Sequence, residues 1–507
     1  MPGDVAAGLD DDRSARDAGT AHWPTETATL ARVSSRKRSP RNRKVHRQGL
    51  SGNPQRRAEQ LRQAFSGEAA FGLLGGPDRA ALRELAYRLA GGASAEPWWR
   101  ESHSRILARS RALAWPSRLV DLETQACQIV GDEFYERLQS PGTELHPAQW
   151  LRALAEQAGA ALRTALAQGG DEWRGPWALL CGLALTAPRT PDDAVSESVL
   201  KIRKDFPDIK DPLQTALAEV DTGAKLLADR GLEPGAERPA DGSRPAGEPL
   251  VAKDAYGSRF LLTAPFSYDG GAPDHWYAWD IDACWIDVVV GAGAFASAED
   301  ALHEWRDAVG PTAAVAALSP CAAGTTAWLL APSLEAGVLA DMLQGHEPRE
   351  LIREYHRQRR RARDLAVSAG TGAGSSSFDA GQADDAFLSW HAARHNDVPA
   401  AAEAAGTILA QWGPHVALDE RCFYACSPHR IEMAAHLIRQ SYFPDDANLA
   451  LQLLPEWTQW CIEHSGLDNH HAARSREAAL SAASTLVGGA DDEPAADDDE
   501  APFRRQE

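Results

Sequence analysis

The sequence predicts a mainly α-helical, multidomain protein with a smaller α+β middle domain, an antiparallel sheet in that domain, and disordered termini. Three observations lead to this prediction. Apolar residues recur at helical spacing in two long regions, they alternate with period two in the middle of the chain, and Gly-, Pro- and Ser-rich segments separate these parts. The predicted segments are 1–57 disordered, 58–187 helical, 188–250 a loose helical segment with a Gly/Pro-rich linker, 251–368 α+β, 369–384 a Gly/Ser-rich linker, 385–488 helical and 489–507 an acidic disordered tail.

Length and charge set the first limits on function. The 507 residues, of which 44% are hydrophobic, suffice for several cores, and the formal net charge is −20. Such a surface repels phosphate backbones on average, so nucleic-acid binding requires a locally basic segment. Seven cysteines form no dense framework and favour a reducing compartment. Because the acidic N-terminus lacks a signal-peptide pattern and the apolar run Trp177–Ala187 is about half a membrane span, we expect a cytoplasmic protein without membrane contact.

The N-terminal helices follow from periodicity and from Pro and Gly positions. Pro116–Leu138 carries an apolar stripe, which predicts one helix. Pro147 suits the first turn of a second helix and Gly169 its C-terminal end. Trp173–Ala187 predicts a third helix.

Strand patterns appear in the middle domain. Arg259–Phe266 predicts a short strand, and His275–Asp287 alternates so that its aromatic residues share one face. Ser297 followed by Asp300 predicts a helix N-terminus. Thr325–Ala331 is interpreted as another strand. Val288–Phe295 contains Gly-x-Gly but not the third glycine of a dinucleotide fingerprint, so we interpret it as a flexible turn.

Two aspartates on the second predicted strand are the candidate centre of a ligand pocket. Asp280 and Asp282 project from the side opposite the aromatic residues, and paired carboxylates can hold a cation or share acid–base chemistry. With His275 nearby, these three residues are the predicted ligand-binding set. The simpler alternative is that this side of the strand faces water. The sequence predicts no catalytic residues, no metal site and no cofactor.

A basic arm, Arg32–Arg47, is the clearest charged feature of the sequence. It contains eight Lys or Arg residues and no acid in sixteen positions. A run of this kind can pair with successive phosphates and release counterions. The alternatives are that it neutralises acidic flanks, docks on this chain's own acidic surface, or binds a protein. The predicted nucleic-acid-binding residues are Arg36, Lys37, Arg38, Arg41, Arg43, Lys44 and Arg47.

A second group of arginines lies between Arg353 and Arg363, on a predicted helix. The apolar stripe beside them predicts that they occupy the exposed, solvated face of that helix.

The Cys and His residues of the C-terminal domain suggest metal binding, but the core interpretation is preferred. Cys422, Cys426 and His429 have plausible ligand spacing. Pro455 is predicted to begin a helix, and Cys461 lies on the apolar face of that helix, as a buried cysteine would. His391 and His395 are four apart on a predicted helix. Ala392 stands where a zinc protease has its glutamate base, which excludes that class.

Three stretches of the chain resemble a family of uncharacterised proteins from high-GC actinobacteria. They are PDHWYAWDIDACWIDVVVGAGAF, LVDLETQACQIVGDEFYERLQSPGTELHPAQW, and CSPHRIEMAAH with LPEWTQWCIEHSGL. The resemblance spans about residues 50–485, and the C-terminal part is similar to a helical module at the ends of other actinobacterial proteins. It implies no activity and no functional residue.

Three hypotheses follow from the sequence. The leading one is a non-enzymatic cytosolic interaction protein whose basic arm contacts nucleic acid or another polyanion. The second is a small-ligand binder or enzyme centred on the middle domain. The third is a scaffold that binds other proteins through its C-terminal helices.

Overall fold

The fold is known from a computed structural model that describes ten stretches of the chain. They are residues 97–113, 118–138, 147–187, 212–232, 242–284, 288–334, 348–369, 380–395, 399–412 and 420–485. The predicted disordered termini, the basic arm at 32–47 and most of the predicted linker at 369–384 lie outside the described residues, as do residues 188–211 and 233–241 of the segment at 188–250. Within them, the predicted class is confirmed, because helices dominate and the middle of the chain forms an antiparallel sheet.

Along the chain, helices precede and follow the strands of the sheet. The helices are α1 (Pro97–Ser110), α2 (Leu119–Leu138), α3 (Pro147–Gln168), α4 (Arg174–Thr186), α5 (Pro212–Ala228), α6 (Ala298–Val309), α7 (Ala323–Leu334), α8 (Pro348–Ser368), α9 (Ala380–Ala392), α10 (Pro399–Trp412), α11 (Glu420–Phe423), α12 (Pro428–Ser441), α13 (Pro444–Ser465) and α14 (Asn469–Ser484), with a short 3-10 turn at Pro311–Ala313. The strands are β1 (Arg244–Pro245), β2 (Leu250–Lys253), β3 (Arg259–Ser267), β4 (His275–Asp282), β5 (Val288–Phe295) and β6 (Ser319–Pro320). None of the helices in the described stretches is both long and apolar enough to cross a bilayer.

Local sequence signals explain several helix ends. Pro147 begins α3, and Gly169 follows its end with φ of +78°, which only glycine adopts readily. The side chain of Ser297 accepts a hydrogen bond from the backbone N–H of Asp300 at 3.1 Å, so the predicted N-cap of α6 is confirmed. Gly466 ends α13 in the left-handed conformation.

The sheet is antiparallel throughout. Its order is β5-β4-β3-β2-β6, with β1 paired to β3. In the central pair, Leu262 lies opposite Trp279 and Leu261 lies opposite Asp280. Because side chains alternate across a sheet, these two neighbouring pairs belong to opposite faces.

Each face of the sheet is covered by helices. On one face Leu262, Tyr277 and Trp279 join a large core shared with α1 to α5, α7 and α8. On the other face Leu261 and Ala278 pack against α6, which contributes its Ala301, Leu302 and Trp305 side chains. The structure therefore unites, in one hydrophobic core, helices and strands that the sequence analysis assigned to separate segments.

Helices α2 and α8, which both contribute to the large core, approach each other closely enough for their backbones to touch. A Cβ atom on Gly131 would lie 2.3 Å from the Cα of Arg353, which is closer than two non-bonded carbon atoms can approach each other. Glycine is thus required for α2 to approach α8 at this distance.

The C-terminal helices α9 to α14 surround a core of their own. Phe387, Trp412, Trp457 and Trp460 are buried there. This unit touches the rest of the chain, since Cys422 belongs to the large core and the rings of Tyr256 and His471 meet edge to face at 5.0 Å.

Three secondary-structure expectations are wrong. Thr325–Ala331 lies in helix α7, whose consecutive Leu329 and Leu330 are both fully buried, a pattern that a half-exposed strand would not produce. Val288–Phe295 is strand β5 and not a turn, because its glycines pair with β4, in a ladder that contains one register shift between Asp280 and Ile281. Pro455 lies inside α13, which begins at Pro444; the inner proline removes one N–H but does not end the helix.

Candidate functional site

The three residues of the predicted ligand pocket do not form a single site. His275 shares the face of β4 that carries Tyr277 and joins the large core, whereas Asp280 lies on the face covered by α6. The sheet therefore separates the imidazole from the carboxylate. The expectation that the aspartate side faces water is also wrong, because α6 covers it and Asp280 is fully buried.

Asp280 is fully engaged in structural contacts. Arg259 Nε donates to Oδ1 at 2.9 Å and its Nη2 donates to Oδ2 at 2.5 Å, while the indole Nε1 of Trp305 donates to Oδ1 at 2.9 Å. Burial opposes the charged form of Arg259, but the adjacent Asp280 carboxylate outweighs burial and raises the arginine's pKa. A bidentate pair that also anchors α6 leaves this carboxylate little capacity for a ligand.

Asp282 lies where the sheet meets the C-terminal helices. Its Oδ1 accepts the backbone N–H of Cys284 at 2.9 Å, and the Cys284 sulfur lies 3.5 Å from Ser427 Oγ. Potential ligand atoms of Asp282, Cys284 and His429 all lie within 4.8 Å of one another. Burial, followed by the Asp282 charge, raises the pKa of the Cys284 thiol well above its usual range, so the group is a protonated thiol engaged in the packing.

His275 is enclosed by aromatic and cationic neighbours. Its ring stacks near Phe266 at 6.1 Å and lies 5.2 Å from the Tyr268 ring. Neither ring nitrogen has a hydrogen-bond partner in the described part of the chain. Burial, followed by the charges of Arg361 and Arg357, lowers the pKa of His275 well below its usual value, so the imidazole is neutral at pH 7.

A buried polar network, formed by Glu123, Glu354, Arg357 and Arg361 with two tyrosines, occupies the space between α2, α8 and the sheet. Arg361 Nη2 donates to Glu123, and Arg357 Nε donates to Glu354 at 2.7 Å. The Tyr268 hydroxyl donates to Glu123 at 2.7 Å, and that of Tyr277 donates to Glu354 at 2.8 Å. Two guanidinium groups face two carboxylates, so the network carries no net charge. We interpret it as an internal connection between helices and sheet.

The second group of arginines is therefore not a cationic surface, contrary to expectation. Arg357 and Arg361 are 2% and 1% exposed, and Arg360 is buried with its guanidinium on the carbonyl oxygens of Ala184 and Leu185. Arg353 donates to Asp132 at 2.8 Å. Helix α8 is covered on several sides. Its guanidinium groups therefore donate hydrogen bonds to carboxylates and to C-terminal carbonyl oxygens of neighbouring helices, and are not directed at solvent.

The cysteines of the C-terminal unit lie in the core interior, as the core interpretation expects. Cys426 and Cys461 are fully buried among the aromatic residues of α13 and its neighbours. Burial is the largest cause of the raised pKa of both thiols, that of Cys426 to about 12. Among the described residues, His429 is grouped with Asp282 and Cys284 and not with Cys422 and Cys426.

A separate cluster joins His391, His395 and Glu456. Potential ligand atoms of all three lie within 4.8 Å of one another. The sequence predicts that the two histidines share one side of a helix, but it does not predict Glu456, which belongs to α13. Spacing along the chain carries no signal for this residue, because only the packing of α9 against α13 brings it to the imidazoles.

Comparison with protein-family models, with curated proteins and with solved structures finds no match to this chain.

Proposed function

We propose that this chain is a non-enzymatic interaction protein that binds nucleic acid through the basic arm, Arg32–Arg47. The observation that carries the proposal is the absence of acidic residues from a sixteen-residue run with eight cations. Each guanidinium or ammonium group can pair with one phosphate and release a condensed counterion, which gives affinity without base specificity.

The charge distribution over the rest of the chain supports this choice of segment. Residues 58–507 contain 40 Lys or Arg and 66 Asp or Glu, a formal net charge of −26. A body with this balance repels phosphates on average. The charge balance therefore favours residues 1–57, where the basic arm lies, as the segment that attracts a polyanion.

The arrangement of α8 removes the main competing cationic element. Arg357 and Arg361 point into the large core and already face Glu354 and Glu123. Moving these arginines to solvent would break a buried charge network, which costs several kcal/mol. The basic arm thus remains the best candidate for phosphate contact.

The other two hypotheses receive less support from the geometry. A ligand pocket built from His275, Asp280 and Asp282 would require residues that lie on opposite sides of the sheet. A protein scaffold based on the C-terminal helices stays a prediction.

Binding to a short labelled duplex DNA and to a single-stranded RNA tests the proposal. Fluorescence anisotropy is measured at low salt for the full chain and for a variant in which Arg36, Lys37, Arg38, Arg41, Arg43, Lys44 and Arg47 are replaced by Gln. A control variant, Arg100→Gln with Arg111→Gln and Arg174→Gln, removes three cations that are exposed on the helical body.

We expect the full chain and the control to bind, and the arm variant to lose binding at any salt concentration above about 50 mM. Full-chain binding that is absent at low salt, or equal binding by the arm variant, contradicts the proposal.

A further inference from the structure

Two histidines at the end of α9 present their imidazoles side by side. His391 lies in the last turn of the helix, and the backbone N–H of His395 donates to the His391 carbonyl at 2.9 Å, so the helical path continues to His395. Residues four apart on such a path share one side. Their rings accordingly stack, with centroids 4.6 Å apart and an interplanar angle of 26°.

Helix α13 brings a carboxylate to both rings. Glu456 Oε2 lies 3.0 Å from Nε2 of His391 and 2.9 Å from Nε2 of His395. The neighbouring Trp457 packs against Phe387 of α9, with centroids 4.8 Å apart. This aromatic contact fixes α9 and α13 together, so the three side chains converge because of the core and not because of flexible surface groups.

The short contacts lack the geometry of hydrogen bonds. Glu456 Oε2 is a buried atom with no hydrogen-bond partner within the described residues, although both imidazole nitrogens lie at hydrogen-bonding distance. The oxygen therefore lies away from the direction in which a ring N–H would point. Two ligand atoms that each bind one ion at about 2.1 Å lie roughly 3.0 to 3.4 Å apart and also point at the ion instead of at each other. The observed separations, 3.0 and 2.9 Å, lie at the short limit of this range, and the missing hydrogen-bond geometry agrees with atoms that point at a shared ion.

We propose that His391, His395 and Glu456 form a binding site for a divalent transition-metal ion of the kind that prefers imidazole, such as Zn²⁺. Two imidazoles and one carboxylate match the ligand preferences of Zn²⁺ and its first-row neighbours, whereas Mg²⁺ and Ca²⁺ prefer all-oxygen sites. Three protein ligands leave at least one coordination position for water or for an external group.

The surroundings of the cluster suit an ion that enters from solvent. The His391 side chain is 8% exposed and packs on Phe387, whereas those of His395 and Glu456 are 44% and 34% exposed. One side of the site is thus held by the C-terminal core and the other side is open. The exposed members can be replaced without creating a cavity in the core.

The cluster of Asp282, Cys284 and His429 is the main competing metal site among the described residues. Its members already have protein partners, since Asp282 accepts the Cys284 backbone N–H and the thiol contacts Ser427. Glu456 Oε2 has no hydrogen-bond partner there, and its close neighbours are the two imidazoles of its own cluster. This difference favours the histidine cluster.

Metal titration of the full chain, without an affinity tag and after treatment with a chelator, tests the proposal. Zn²⁺ binding is measured by isothermal titration calorimetry, and Co²⁺ is used as an absorption probe of the ligand set. The variants are His395→Ala and Glu456→Gln. The matched control is His303→Ala, because His303 is an exposed histidine lying 3.7 Å from Asp307 four residues later. Cys284→Ser tests the competing cluster, and circular dichroism checks the fold of each variant.

We expect one Zn²⁺ equivalent in the parent chain, in His303→Ala and in Cys284→Ser. Loss of a supporting residue alone costs 10- to 100-fold in affinity, so His395→Ala and Glu456→Gln are each expected to weaken binding by about 100-fold or more. The visible absorption of bound Co²⁺ should change in both of these variants. Absence of Zn²⁺ binding at micromolar concentrations, unchanged affinity in both variants, or loss of binding in Cys284→Ser alone would overturn the proposal.

Discussion

Glu123 is the residue whose replacement tests the buried polar network most sharply. Its side chain is 1% exposed and accepts hydrogen bonds from Arg361 and from the Tyr268 hydroxyl, and its Oε2 lies 3.8 Å from Arg357 Nη1. Glu123→Gln preserves the shape but removes the charge. In this variant Arg357 keeps its pair with Glu354. Arg361 loses the only carboxylate that it contacts in the described residues, and its Nε and Nη1 already have no hydrogen-bond partner there.

The expected cost is large because an uncompensated cation remains buried. Removing one member of a buried ion pair destabilises a protein by about 3–5 kcal/mol. The glutamine carbonyl retains one acceptor, so we expect a loss near the lower limit, about 3 kcal/mol in the free energy of unfolding. The matched control is Asp121→Asn on the same helix, whose pair with Arg118 is exposed and worth about 1 kcal/mol or less.

Urea unfolding, followed by circular dichroism and by tryptophan fluorescence, measures both variants. A loss of about 3 kcal/mol shifts the midpoint by about 1 M urea if the slope is about 3 kcal/mol per molar. Adding Arg361→Met to Glu123→Gln removes the stranded cation and should restore part of the stability. Equal shifts for Glu123→Gln and Asp121→Asn, or a double variant less stable than Glu123→Gln, would refute the reasoning.

Two further stability predictions follow from the same core. Gly131→Ala places a Cβ against the backbone of Arg353 and forces α2 and α8 apart, so it should lower the free energy of unfolding by about 1–3 kcal/mol. The measurement is the urea midpoint, which should fall; an unchanged midpoint would contradict the close contact. Burial lowers the pKa of His103 to about 4, so between pH 6.5 and 4 the unfolded chain holds the extra proton and the free energy of unfolding falls as the pH falls. His103→Gln should reduce that slope by up to about 1.4 kcal/mol per pH unit, and an identical pH profile for parent and variant would contradict it.

The fold class was accessible from the sequence because periodicity and end signals act locally. Pro147, Gly169 and the Ser297 cap each mark the predicted helix end, since their backbone requirements depend on few neighbours. Thr325–Ala331 failed as a strand because a short apolar run does not distinguish a strand from a buried helix, and packing decided for the helix.

The candidate sites were less accessible because long-range packing defines them. A helix rich in arginine usually faces solvent, yet α8 is enclosed, and Glu123 neutralises Arg361 from a distant part of the chain. The alternation of β4 correctly separated two faces, but it could not show that α6 covers the face with Asp280. Glu456 was likewise invisible beside His391 and His395, because α13 supplies it across the C-terminal core.

The salt dependence of nucleic-acid binding tests the central functional claim most directly. The logarithm of the observed association constant for duplex DNA is measured against the logarithm of the salt concentration, for the full chain and for the arm variant. Seven phosphate contacts predict a slope of about −6 and an affinity loss of about 10⁴-fold between 50 and 200 mM salt, both abolished in the arm variant. A shallow slope for the full chain, or the same steep slope for both proteins, would contradict the claim that Arg32–Arg47 binds the phosphates.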